Sequence, residues 1–166
     1  MDAERRARKR RYNPYIVGAP VFDRQLFFGR EAAIRLTLER LASTSVQLSG
    51  ERRIGKTSFL HHLELGLREP SSDDCAASPS SWWPGPRAGG DLERIELQPL
   101  APEDAEALVT QPVVGIYSYE ASAVERILEQ SGLRPFEIQR CCLYAIHRML
   151  DADRTTVRLA DVEATP

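Results

Sequence analysis

The chain has 166 residues, of which 42% are hydrophobic and 28% are charged, and its formal net charge is −2. These values are ordinary for a globular protein of one domain or two small ones, and they give no global attraction to nucleic acid. No apolar run approaches the ~20 residues of a membrane span, and the N-terminus lacks a secretory apolar core. We therefore expect a cytoplasmic protein without membrane association. The three cysteines match no disulfide framework and no metal-binding spacing.

Residues 1–28 are predicted to form a basic tail followed by an extended arm. The run 5–11 is basic at every position except Ala7. Such a run is usually a solvated tail, which is the interpretation we favour, although it could also contact a nucleic-acid backbone or an acidic partner. The stretch 12–28 is aromatic and interrupted by proline. It is predicted to pack on another part of the protein.

Residues 29–69 contain the strongest motif of the chain. Apolar spacing predicts a helix at 31–42, a short strand around 46–48 and a second helix at 57–67. Between the strand and the second helix lies Gly50-Glu51-Arg52-Arg53-Ile54-Gly55-Lys56-Thr57. This sequence matches the phosphate-binding (Walker A) pattern, and the strand before it and the helix after it are the context that supports such a match.

The motif predicts a nucleotide with Mg²⁺ as the ligand. Glycines at both ends let the backbone curl around phosphate oxygens, and the loop N–H groups and the positive end of the following helix face the anion. Lys56 would reach the terminal phosphates, and the Thr57 hydroxyl would bind Mg²⁺. Almost all the cationic side chains of this chain are arginines, since Lys9 and Lys56 are the only lysines among 22 Lys and Arg residues. A lysine at position 56 therefore indicates a role that arginine's planar fork does not fill. The predicted loop contacts are Gly50, Arg53, Ile54, Gly55, Lys56, Thr57 and Ser58.

Two further segments follow the loop and its helix. Residues 70–91 are predicted to be a flexible linker, because Ser, Pro and Gly occupy 11 of the 20 positions from 71 to 90 and cannot build a core. Residues 92–166 are predicted to be a small helical domain, with Cys141 and Cys142 buried as small hydrophobic side chains. Its predicted elements, from apolar spacing and from proline and glycine signals, are a strand at 94–97, helices at 102–109, 119–131 and 135–149, an extended stretch at 155–157 and a final helical turn at 159–163.

The order of motifs resembles the AAA-like domain of bacterial and archaeal STAND ATPases, which are signal-transduction relatives of the AAA+ ATPases. The N-terminal half matches at Asn13-Pro14-Tyr15, at Phe28-Gly29-Arg30-Glu31 and from Gly50 to Ser58. The C-terminal half matches at Leu100-x-Pro102-Glu103-Asp104-Ala105, at Gln111-Pro112-Val113 and from Gly132 to Gln139. The resemblance implies an α/β, mostly helical fold, in which a truncated P-loop strand–loop–helix unit precedes a small helical lid or winged-helix-like bundle. It implies ATP and Mg²⁺ as ligands.

The resemblance also implies roles outside the loop. Gly29, Arg30 and Glu31 would lie near the base of the nucleotide, and Pro135 would pack close to the adenine. For Pro135 and Gly132 an equally good interpretation is a helix start and a helix stop without any ligand contact.

The chain departs from the family where an apolar strand should end in an acidic residue, the Walker B region. One strand–helix–strand unit takes ~30 residues, and only 24 positions run from 69 to 92 counted inclusively. Asp73-Asp74 is the acidic pair of this interval, and it follows Pro70-Ser71-Ser72 rather than an apolar strand. Phosphoryl transfer needs charge and an attacking water placed around the metal. We therefore assign no catalytic residue and expect an internally shortened module with weak or absent hydrolysis, which needs a partner or self-association for stability.

Three hypotheses remain open from the sequence. The first is a degenerate ATPase module that binds ATP, and it is slightly favoured. The second is a non-enzymatic regulatory or interaction fragment with a relic loop, which binds protein or nucleic acid through the helical domain and the basic N-terminal arm. The third, the least favoured, is an active ATPase that takes its acidic residue from a partner chain.

Overall fold

The computed structural model describes residues 12–68 and 92–163, and these ranges are mostly helical with two small parallel sheets. The fold class predicted from the sequence is confirmed at this level. The chain divides into two compact units: one runs from Arg30 to Gln98, and the other combines the segment up to Gly29 with the segment from Pro99 onward. No helix in the described ranges is long and apolar enough to cross a membrane.

The unit from Arg30 to Gln98 is a two-stranded parallel sheet with two helices. Its elements are α1 (Glu31–Leu41), β1 (Ser45–Gly50), α2 (Lys56–Arg68) and β2 (Leu92–Leu97). The strands pair in register from Ser45 opposite Leu92 to Gly50 opposite Leu97. The predicted bounds of these four elements agree with the observed ones to within two residues. An ion pair of 2.6 Å between Arg40 and Glu93 joins the end of α1 to β2.

The sheet of this unit has one covered face and one polar face. Side chains alternate along a strand, so Leu48, Ile95 and Leu97 share one face, on which Ile95 and Leu97 are buried. Helices α1 and α2 pack against each other and both contact β1. The other face carries Gln47 and Arg94, which are exposed. The core of this unit is therefore a single apolar layer between the sheet and two helices.

The second unit is a helical bundle with a very small sheet. Its elements are α3 (Pro102–Thr110), β3 (Ser118–Tyr119), α4 (Ala121–Ser131), α5 (Pro135–Asp151), β4 (Thr156–Val157) and α6 (Leu159–Glu163). Helices α4, α5 and α6 pack on one another, α3 packs on α4 and α5, and β3 pairs with β4 in parallel. The most enclosed side chains of its core are Val109, Val113, Ile127, Ile138, Cys142, Ile146, Met149, Val157 and Val162. The two cysteines are buried as predicted, and burial raises the pKa of the Cys142 thiol to about 12.

The N-terminal arm belongs to the helical unit. Tyr15 is 5% exposed and lies in the core, and its hydroxyl donates a hydrogen bond to the Val109 carbonyl. The Asn13 amide donates to the Leu143 carbonyl at 3.1 Å, and the Ile16 N–H donates to the side-chain oxygen of Gln139 at 2.9 Å. The prediction that the arm packs on another part of the protein is confirmed, and its target is α3 and α5.

The observed division of the chain differs from the predicted boundaries. The sequence places 29–69 in one unit and 92–166 in another, with 1–28 as a separate tail and arm. In the structure β2 pairs with β1, so residues 92–98 join the unit of the loop, and the described arm joins the helical unit. The reason is long-range pairing, which local spacing does not encode. The basic run 5–11, the linker 70–91 and Asp73-Asp74 lie outside the described residues.

A buried carboxylate closes the C-terminal end of the helical unit. The Arg154 guanidinium donates to both carboxylate oxygens of Asp161, at 2.8 and 2.6 Å, and the Arg158 N–H donates to one of them at 2.9 Å. Burial by itself raises the pKa of Asp161, but these hydrogen bonds and the positive charges of the two arginines outweigh it. The pKa of Asp161 is therefore lowered from its ordinary value.

This ion pair predicts a pH-dependent effect of Asp161→Asn. A carboxyl with a lower pKa in the folded state adds stability above its unfolded pKa, and this stability is lost as the pH falls through the folded pKa. We expect Asp161→Asn to lower the free energy of unfolding at pH 7, and the difference from wild type to shrink below about pH 4. Urea unfolding of both proteins at pH 7 and pH 3 measures this difference in the free energy of unfolding. Asp151→Asn, at an exposed position, should have little effect at pH 7. A deficit of equal size at both pH values contradicts the prediction.

Candidate functional site

The predicted loop lies between the end of β1 at Gly50 and the start of α2 at Lys56. Gly50 has a φ of +145° and Gly55 a φ of +99°, which L side chains rarely adopt. A Cβ at position 50 would also lie 2.9 Å from the carbonyl oxygen of Leu97. Both glycines of the motif are therefore required by the local backbone, and Gly50 is also required by the close approach of β2.

The middle of the loop is held by one buried side chain. Ile54 is 1% exposed, and its N–H donates to the Glu51 carbonyl at 3.4 Å. Arg53 precedes it in the left-handed region with a φ of +66°, which is uncommon for a residue with a side chain. Burial of Ile54 thus anchors the turn, and the exposed Arg52 and Arg53 side chains lie on its solvent side. A contact of Arg53 or Ile54 with phosphate stays a prediction.

The Lys56 side chain reaches from the C-terminal end of the loop back to its first residues. Its Nζ donates to the Gly50 carbonyl at 2.9 Å and to the Glu51 carbonyl at 2.8 Å. The next residue, Thr57, is exposed, whereas Ser58 is buried. The structure therefore brings the cation to the start of the loop and leaves the Thr57 side chain accessible to solvent.

Arg30 connects the loop to the end of β2. Its guanidinium is buried with only 8% of the residue exposed, and it donates to the Gln98 carbonyl at 2.7 Å and to the Ile54 carbonyl at 3.5 Å. Glu31 is exposed at the first position of α1. Both residues lie in the same unit as the loop, and a contact of either with the base stays a prediction. The sequence has no local signal for the Arg30 contacts, because Gln98 lies 68 positions away.

Pro135 lies in the helical unit rather than in the unit of the loop. It is the first residue of α5. Helix α4 ends at Ser131 and is capped by Gly132, which lies three residues before Pro135 and has a left-handed φ of +56°. Between them the Arg134 Nε donates to the Ser131 carbonyl at 3.3 Å. Gly132 and Pro135 thus stop one helix and start the next, and an adenine contact of Pro135 stays a prediction.

The strand beside β1 ends without an acidic residue. Leu97 is the last residue of β2, opposite Gly50, and Gln98 follows it. Glu96 is one position earlier, opposite Ser49, and is exposed. In the described ranges, then, no carboxylate follows the strand that neighbours the loop. No group of three or more His, Cys, Asp or Glu residues in these ranges is placed to hold a metal ion by itself.

Comparisons with models of protein families, with curated proteins and with solved structures gave no significant match to this chain.

Proposed function

We propose that this chain binds a nucleoside triphosphate, ATP with Mg²⁺, through the loop 50–57, and that it hydrolyses the nucleotide weakly or not at all. One observation supports the proposal most: a strand and a helix flank a loop whose two glycines have positive φ, and Lys56 reaches back over that loop. A strand before the loop and a helix after it are the context that supports a match to the phosphate-binding pattern.

The chemistry of the loop fits an anionic ligand. Helix α2 is 13 residues long, so its first turn offers main-chain N–H groups and a partial positive charge next to the loop. Arg52, Arg53 and Lys56 outnumber Glu51 in the loop, which leaves an excess of positive charge. On binding, the Lys56 ammonium would exchange its two carbonyl acceptors for phosphate oxygens. The accessible Thr57 hydroxyl would contribute one ligand to Mg²⁺.

Weak hydrolysis follows from what neighbours the loop. The protein accelerates phosphoryl transfer by placing charge and an attacking water around the metal, and β2 provides no carboxylate at its end beside Gly50. We further propose that the chain is an internally shortened relative of the STAND ATPases. Arg30 and Glu31 would then contribute to the base site, and the helical unit, in which Pro135 begins α5, would correspond to the lid and winged-helix region.

The test compares wild type with Lys56→Ala. Excess Mg·ATP is expected to raise the melting temperature of wild type, because a ligand that binds only the folded form stabilises that form. At a ligand concentration a hundredfold above Kd, the free energy of unfolding rises by about 2.7 kcal/mol. Lys56→Ala is expected to lose most of this rise, because the variant lacks the cation that would contact the terminal phosphates. Differential scanning fluorimetry measures the shift, and calorimetric titration gives the Kd.

The matched control is Arg35→Ala, which removes one positive charge from an exposed position of α1 in the same unit. It should keep the full thermal shift. Melting temperatures without nucleotide separate a folding defect of Lys56→Ala from a binding defect. The proposal fails if wild type shows no shift at millimolar Mg·ATP, or if the shift in Lys56→Ala equals that of wild type.

A further inference from the structure

The outer edge of β1 has no main-chain partner in the described part of the chain. Strand β1 pairs on one side with β2, over all six residues from Ser45 to Gly50. The Gly50 carbonyl accepts a hydrogen bond from Lys56. Among the described residues, the main chain of 45–49 makes hydrogen bonds to β2 alone. Every second residue of a strand directs its N–H and C=O to the same edge, so β1 offers a row of donors and acceptors on its outer side.

The two strands differ sharply in how their edges are protected. Charged side chains, especially Lys, as well as Pro and β-bulges, prevent an edge strand from pairing with another strand. Strand β2 carries Glu93, Arg94 and Glu96 among its six residues, whereas β1, Ser45-Val46-Gln47-Leu48-Ser49-Gly50, carries no charge and no proline. The register with β2 runs without interruption, so β1 has no bulge either. The edge of β1 is therefore suited to receive another strand, and β2 is suited to remain an edge.

A second copy of the chain is the partner that this edge fits. A two-stranded sheet is marginal by itself, and three or more strands with an apolar face are needed for independent stability. An uncharged strand can pair with itself antiparallel about a twofold axis without opposing like charges, and twofold pairing is the commonest closed symmetry of soluble oligomers. The covered face would also grow, because Leu48 of each copy would lie near the apolar layer of the other.

We propose that the outer edge of β1 pairs antiparallel with β1 of a second copy, so that two copies share one four-stranded sheet with β2 at each outer edge. Nucleotide binding is not needed for this pairing. The dimer would add main-chain hydrogen bonds along β1 and place the charged β2 strands at both ends of the sheet, where they discourage further addition.

Two measurements on the full chain test the proposal. Sedimentation equilibrium over a range of concentrations is expected to show a species of twice the monomer mass. Amide hydrogen exchange across 45–49 is expected to slow at every residue in the dimer, but only at alternate residues after dilution to the monomer. A chain that stays monomeric at all concentrations overturns the proposal, and so does a dimer whose β1 amides exchange as in the monomer. A monomer with all β1 amides protected also overturns it, because the edge would then be covered from within the chain.

A charge placed on β1 gives the matched variant. Gln47→Lys puts an ammonium on an exposed position of the strand and brings two such charges together across the twofold axis, so the dimer Kd is expected to rise about tenfold or more. Leu92→Lys adds the same charge to β2, at a side chain that is 62% exposed, and should leave the Kd unchanged. Equal weakening by both variants, or no weakening by Gln47→Lys, would exclude β1 as the interface.

Discussion

Replacing Tyr15 by alanine is expected to lower the free energy of unfolding by about 3–5 kcal/mol, the usual cost of truncating a buried aromatic side chain to alanine. Tyr15 is one of the core residues of the helical unit, although it precedes that unit's first helix by more than 80 positions. Its hydroxyl also donates to the Val109 carbonyl and accepts a hydrogen bond from the Tyr119 hydroxyl at 3.3 Å. Loss of the ring would therefore leave both a cavity and a buried carbonyl without its donor.

Tyr12→Ala is the matched control for this prediction. Tyr12 lies in the same arm but is 51% exposed, so its truncation should cost well under 1 kcal/mol, as at most surface positions. Tyr15→Phe separates the two contributions, since it keeps the ring and removes the hydroxyl at a cost of about 1 kcal/mol. Guanidinium unfolding followed by circular dichroism measures all three variants. Equal effects of Tyr12→Ala and Tyr15→Ala would show that the arm is not part of the core.

Gly50→Ala is expected to destabilise the protein by roughly 3 kcal/mol, the upper end of the range for backbone strain, because two costs combine. The φ of +145° is rarely adopted by a residue with a Cβ, and the new methyl group would lie 2.9 Å from the Leu97 carbonyl and 3.1 Å from the Ile54 side chain. Relief of this contact requires β1 and β2 to separate at their carboxyl ends. We therefore expect Gly50→Ala also to lose the thermal shift with Mg·ATP.

Gly55→Ala provides the comparison within the same loop. Its φ of +99° is also strained for alanine, but nothing lies within 4 Å of the added Cβ. The expected cost is about 1 kcal/mol of backbone strain without a steric term. Urea unfolding of the two variants measures the difference. If Gly55→Ala destabilises as much as Gly50→Ala, then contact with Leu97 is not what requires glycine at position 50.

Local patterns were sufficient for the helices, for three of the four strands and for the loop context. Strand β3 was missed, because Tyr119 was predicted to begin the helix that in fact begins at Ala121, and β3 is defined by pairing with β4 almost 40 positions away. Some helix boundaries lie at glycine or proline, and Gly132 and Pro135 show why: one adopts a left-handed φ and the other occupies the first helical position. The two glycines of the loop have positive φ values, which residues with a side chain rarely adopt. In each case the relevant interaction spans a few residues, so the residue types themselves carry the information.

Local sequence patterns did not predict the long-range contacts. The sequence predicted Arg30 as a site residue, which stays a prediction. Its observed hydrogen bonds go to the carbonyls of Gln98 and Ile54, which any residue type offers. The arm was expected to pack on something, but neither its target nor the role of Tyr15 could be predicted. The same holds for β2, which was predicted as a strand but assigned to the helical domain. Its pairing with β1 depends on register and not on composition.

By itself, the sequence therefore determined the order of elements apart from β3, the strand–loop–helix setting of residues 50–57 and the presence of a lysine at position 56. These depend on spacing and on the backbone freedom of single residues. Tertiary structure alone decided that β2 completes the sheet of the loop unit, that Arg30 joins the loop to the end of β2 and that Tyr15 completes the helical core. These contacts join residues about 50 to 100 positions apart. They are made by main-chain carbonyls and by packing of apolar side chains in the core, and neither has a signature in the residue types nearby.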